Sequence, residues 1–164
     1  MTARTLLVEF GILSVLLAFS GRQAEARKKP ADVRMASAGI QYLNSSYDIY
    51  DGISRRIHSY AETGFREYRS ADELCRHLEE NGFSVERGVA GIPTSFIARY
   101  GSGSPVIGLM AEYDALPGLA QEAVPYPCAP EGCVNGHGCG HNLLGTGSLA
   151  GAVAISRYLA LGHK

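Results

Sequence analysis

Two hydrophobic periods divide this chain. From Ser46 to about Ala61, the residues Tyr47, Ile49, Tyr50, Ile53 and Ile57 recur at near-helical spacing, which predicts an amphipathic helix. A second helix is predicted from about Glu67 to Asn81, with Ala71, Leu74, Cys75 and Leu78 on one face. Ser70 and Glu73 have the spacing of a capping box, and Asn81-Gly82 supplies a stop. The charged positions Asp72, Glu73, Arg76, Glu79 and Glu80 read as its solvated face. The period then shortens to two. Phe83–Arg87 and Thr94–Tyr100 alternate as strands, and Gly101-Ser102-Gly103-Ser104 is a turn. Val106-Ile107-Gly108-Leu109-Met110 is a continuous apolar run, the pattern of a strand buried on both faces of a covered α/β sheet.

Leu119 to Gly136 carries three prolines and two cysteines and reads as a long loop of the functional kind. A last helix is predicted from about Asn142 to Leu161, lined by Gly145, Gly147, Ala150, Gly151 and Ala154. Small side chains weaken a solvated helix, so this stripe predicts close packing against a sheet. The order helix, helix, strand, strand, strand, loop, helix predicts an α/β or mixed three-layer domain.

The N-terminus changes the domain picture. Arg4 precedes a largely apolar stretch from Leu6 to Phe19, interrupted by Glu9 and Gly11, and Ala24-Glu25-Ala26 is a small-x-small cleavage pattern. Residues 1–26 therefore read as a signal peptide, with export to the periplasm or outside the cell. The apolar run falls short of the ~20 residues of a spanning helix, which argues against a stable membrane anchor. Residues 27–45 then form an N-terminal extension, and 46–164 the domain. Of the 164 residues 46% are apolar and 19% charged, a globular composition. With 15 basic and 16 acidic residues and no basic stripe, nucleic acid is not an expected partner. Four cysteines in an exported chain raise the question of disulfides. Cys128 and Cys133 are near neighbours in the loop, and sequence leaves their pairing open, whereas Cys75 reads as a small buried hydrophobe.

The candidate chemistry lies between Glu112 and His141. Glu112 and Asp114 follow the apolar run, two residues apart, where extended backbone points them the same way. Two adjacent carboxylates suit a divalent cation, although an acidic surface turn has the same spacing. His137-Gly138-Cys139-Gly140-His141 adds a thiol and two imidazoles separated by glycines. A thiolate and an imidazole two residues apart can ligate one zinc-like ion, and the amide end of the following helix favours the thiolate. His137 is read as a group supporting the ligands rather than a ligand. A disulfide at Cys139, ordinary loop histidines and a phosphate-binding loop compete with this reading. The last of these lacks a Lys-Ser/Thr ending.

The segments PVIGLMAEYDALPG, from Pro105, and NGHGCGHNLLGT, from Asn135, together resemble the aminoacylase- and carboxypeptidase-like metallopeptidases (peptidase family M-twenty), in the amidohydrolase branch. The similarity extends back to about Ile49. It implies part of a three-layer α/β/α zinc-peptidase-like catalytic domain and a divalent metal, zinc or manganese. It implies Cys139 and His141 as metal ligands, Asp114 as the acidic residue that orients the site, and Glu112 and His137 as neighbouring site residues. The substrate class it implies is a small amide, an N-acyl amino acid or a dipeptide, and full-length relatives are expected to be homodimeric. Glu62, Phe65 and Glu67 match a segment that begins His-Pro-Glu in the family, but here it reads Tyr60-Ala61-Glu62.

The family's next motif, a Glu-Glu pair supplying the base and a further ligand, has no counterpart in the 23 residues after His141, which hold no carboxylate. His163 reads as a surface residue at a helix end. The expectation is an N-terminal part of a hydrolase, inactive by itself. A non-catalytic exported module with disulfides is the alternative. A thiol nucleophile at Cys139 with a histidine base is a third reading.

Overall fold

The computed structural model describes residues 30–161, with side chains from residue 37. The signal-peptide expectation and His163 lie outside the described residues. The chain divides into two compact units, residues 1–34 and 35–164, and the site belongs to the second.

Helix α1 spans Pro30–Ser45, α2 Tyr47–Tyr60 and α3 Tyr68–Glu80. Strand β1 (Ser84–Arg87) and strand β2 (Phe96–Arg99) flank a 3-10 turn at Val89–Gly91. Helix α4 spans His141–Ala160. The helical periods predicted from sequence hold to within a residue or two at each end. Their apolar faces make the core: Tyr50, Ile53 and Ile57 of α2, Leu74 and Leu78 of α3, and Leu149 and Ala150 of α4. Tyr42 and Leu43 of α1 also pack against it, and the Tyr42 and Tyr50 hydroxyls meet at 2.8 Å. The residues read as an extension thus contribute contacts to the core.

The strands pair antiparallel, with Val85 opposite Ala98 and Arg87 opposite Phe96. Alternation then sends Val85, Phe96 and Ala98 inward, while Glu86 and Arg99 form an ion pair on the outer face. The described residues therefore combine helices with a small two-stranded sheet.

Val106–Met110 departs from the expected buried strand. It pairs with no strand among the described residues, and Val106, Ile107 and Met110 are 88%, 78% and 86% exposed. Periodicity reports how apolar a segment is, but a strand covered on both faces needs ladder partners on either side. The small-residue stripe of α4 is used at one end. A Cβ on Gly145 would lie 3.0 Å from the Glu112 carbonyl oxygen, so the helix closes on that segment only with glycine here, whereas Gly147 and Gly151 face open space.

The capping box does not form either. Glu73 instead binds Arg56 and Arg76 and is nearly buried, so it leaves the solvated face assigned to it. The cap comes from outside the helix: the Glu62 carboxylate accepts the Arg69 and Ser70 amides and the Ser70 hydroxyl, at 2.8–3.0 Å. This occupies amides that a helix start leaves without partners and sets negative charge at the positive end of its dipole. All four cysteines are free thiols, with Cys75 buried and Cys128, Cys133 and Cys139 exposed.

Candidate metal centre

Asp114 is placed by its neighbour. Ala115 is buried and forms a parallel bridge with Thr63, its amide donating to the Glu62 carbonyl at 2.7 Å. One residue further, Leu116 and Gly136 exchange two backbone hydrogen bonds of 2.9 and 3.0 Å, closing the base of the long loop. Gly136 is required there because a Cβ would sit 1.9 Å from the Leu119 carbonyl oxygen. The loop returns the chain to the turn His137–Gly140, closed by the Gly140 amide on the His137 carbonyl at 2.9 Å. Gly140 takes the left-handed conformation, with φ 73°, and the helix starts at His141.

These constraints bring Asp114, Glu112 and His141 together. His141 Nδ1 lies 2.7 Å from Asp114 Oδ1, and its Nε2 lies 3.2 Å from Glu112 Oε2. One ligand atom from each residue falls within 4.8 Å of the others. His141 and Asp114 are partly buried, whereas Glu112 is 59% exposed and opens the group to solvent. An ionised Asp114 can only accept, so the Nδ1 proton points to it and Nε2 is left on the Glu112 side. Two carboxylates and an imidazole around one point form a donor set that fits a divalent cation of the zinc or manganese type.

Cys139 is not brought into this group. It stands exposed on the His137–Gly140 turn, two residues before His141. His137 is engaged elsewhere. Its Nε2 lies 3.1 Å from the Ile57 carbonyl and its Nδ1 accepts the Asn142 amide at 3.3 Å, which fixes the Nε2–H tautomer. Burial, the largest influence on it, holds this imidazole below its ordinary pKa and hence neutral, against the opposing effect of the Ile57 hydrogen bond. Both ring nitrogens are therefore occupied by backbone.

Three contributors near the site carried no signal in the periodicity. Glu67 accepts the Thr94 hydroxyl at 2.6 Å and the Phe65 amide at 2.9 Å. Glu62 caps α3 and passes its carbonyl to Ala115. Asn142 reaches Ser54 across the helix pair. Ala61, where the family carries proline, has φ 45°, a backbone that the proline ring cannot adopt.

Comparison with known proteins agrees with this arrangement of motifs. The chain is 49% identical over 111 residues to p-aminobenzoyl-glutamate hydrolase of Escherichia coli, covering 67% of this chain and 23% of that protein. The chain belongs to the amidohydrolase branch of the aminoacylase- and carboxypeptidase-like metallopeptidases. Other relatives in this family include thermostable carboxypeptidase 1 of Saccharolobus solfataricus, 32% identical over 92 residues, covering 55% of this chain and 23% of that one. Hippurate hydrolase of Campylobacter jejuni is 29% identical over 111 residues, covering 68% of this chain and 27% of that one. No family model matches the chain. This amidohydrolase-family chain spans about a quarter of the length of the curated relatives it matches.

Proposed function

We propose that this chain supplies part of the divalent-metal centre of an amidohydrolase that cleaves the amide bond of an N-acyl amino acid or dipeptide-like substrate. The observation that carries the reading is the convergence of Glu112, Asp114 and His141 on one point. The names of the relatives, which act on p-aminobenzoyl-glutamate or hippurate or are carboxypeptidases, support the substrate class.

In this reading His141 holds the cation through Nε2, Glu112 contributes a carboxylate oxygen from the solvent side, and Asp114 keeps the imidazole in the Nδ1–H tautomer. Cys139 is proposed as a further ligand, since Gly138 and Gly140 leave its turn free of side-chain obstruction. A bound divalent cation would polarise the substrate carbonyl and make bound water acidic. Asp114 raises the electron-donating power of His141 by accepting its proton, and the exposed Glu112 side is where the substrate amide would enter. The surrounding fold is proposed to be part of a three-layer α/β/α catalytic domain, with homodimerisation as in full-length relatives. Residues 1–26 are proposed as an export signal, which N-terminal sequencing of secreted material would test.

The test is calorimetric titration of zinc, and separately manganese, into the chelator-stripped chain. One site that disappears in His141→Ala is expected, and wild-type protein that takes up neither metal sinks the reading. Hydrolysis of p-aminobenzoyl-glutamate and hippurate by the metal-loaded protein then tests the substrate class.

A further inference from the structure

We infer that Asn142 is a positioning residue that, with Ser54 and His137, ties His141 to helix α2 and thereby sets it against Asp114. The inference rests on the metal-centre reading above for its functional meaning, but its geometry is independent of any ion.

His141 is the first residue of α4, where backbone amides lack helical partners and a free end frays. Here the next residue is tied down twice. The Asn142 side-chain amide donates to Ser54 Oγ at 3.1 Å and lies 3.4 Å from the Ser54 carbonyl. The Asn142 backbone amide donates to His137 Nδ1, and His137 Nε2 donates to the Ile57 carbonyl. Ser54 and Ile57 are three residues apart on α2, so both ties reach one face of that helix. Asn142, Ser54 and Ile57 are all buried, so a broken tie leaves polar groups without water to replace it.

Asp114 is referenced to the same end of the same helix. The Ile57 carbonyl also accepts the Ala61 amide at 3.2 Å, forming the C-cap of α2. The chain leaves that cap as Glu62-Thr63, which bonds Ala115, the neighbour of Asp114. The last two turns of α2 are therefore a common support for both halves of the Asp114–His141 pair, although no α2 residue belongs to the cluster itself. Asn142 is the contact through which His141 is registered on that support.

The experiment uses the full 164-residue chain with Asn142→Ala, Ser54→Ala and, as a control, the core truncation Leu78→Ala. Two quantities are measured. One is the His141 Nδ1–H resonance of the metal-free protein, which the Asp114 hydrogen bond retains against solvent exchange. The other is zinc affinity by competition with a chromophoric chelator. Asn142→Ala and Ser54→Ala are expected to lose the resonance and weaken zinc on the order of tenfold, as supporting residues do at metal sites. Leu78→Ala should lower stability yet leave both readouts as in the wild type. The inference is overturned by an Asn142→Ala protein that keeps resonance and affinity, by a Leu78→Ala protein that loses them equally, or by a wild type without the retained resonance. Ser54→Ala decides the matter if Asn142→Ala does not fold. A wild type that binds no zinc, but whose Asn142→Ala variant loses the resonance, defeats the metal reading and leaves the positioning role standing.

Discussion

Asp114 and His141 are 27 residues apart in sequence, yet Asp114 Oδ1 accepts the imidazole Nδ1–H at 2.7 Å. The bond selects which ring nitrogen can face a cation. In the metal reading, His141→Ala should abolish zinc binding. Asp114→Asn should weaken it about 10- to 100-fold, the usual cost of removing a ligand's orienting partner. Glu112→Gln should cost less, because that carboxylate is mostly in water. Chelator competition measures all three, and an unchanged affinity in Asp114→Asn would remove the orienting role.

Glu62 offers a test of stability alone. Its carboxylate accepts three hydrogen bonds at the start of α3. Glu62→Ala should lower unfolding free energy by about 2 kcal/mol, since a lost cap costs ~1 and bonds to a charged group more. Glu62→Gln should recover part of this, because it keeps an acceptor but gives up the charge at the helix dipole. Urea denaturation gives both values, and a loss in Glu62→Ala within the error of the fit would contradict the cap.

The same residues mark what was legible in the sequence. The faces of α2, α3 and β2 could be read because their apolar periods are long and local. The pairing of the Glu112–Asp114 turn with the Cys139–His141 motif was legible through motif order, and the cluster does unite Glu112, Asp114 and His141. The cap on α3 was misassigned to Ser70 and Glu73 because a capping box is a local signature, while Glu62 reaches the helix from outside it. The Asn142–Ser54 contact spans 88 residues and has no periodic trace. The position of Cys139 depends on the turn between Gly138 and Gly140, and glycine spacing alone does not say which way such a turn points.

The apolar segment Val106–Met110 separates hydrophobicity from burial. Ile107 is 78% exposed and Ile57 is fully buried. Ile107→Lys should therefore change unfolding free energy by no more than ~0.5 kcal/mol. Ile57→Ala should cost about 2–5 kcal/mol through lost contacts and the cavity left behind. Binding of a hydrophobic dye to the folded chain should fall in Ile107→Lys. A large destabilisation by Ile107→Lys would mean that this segment is covered in the protein in solution.

The pH dependence of stability should include a contribution from His77. Its Nε2 is buried with no hydrogen-bond partner, and its ring stands edge-on to Tyr50 at 5.5 Å. Burial, the largest influence, pushes this imidazole below its ordinary value, and the opposing pull of Glu80 does not restore it. The unfolded chain, with an imidazole near pKa ~6.5, thus takes up a proton more readily than the folded one. The contribution is present in full above that unfolded value and declines as pH falls through it toward the lower folded pKa. Replacing the ring by His77→Phe removes the titration and keeps the packing against Tyr50. Urea midpoints measured between pH 7.5 and 5.5 should fall less steeply in His77→Phe than in the wild type, with the difference confined to the acidic side. Parallel curves would show that His77 takes up its proton equally in both states, and that the drop belongs to other histidines.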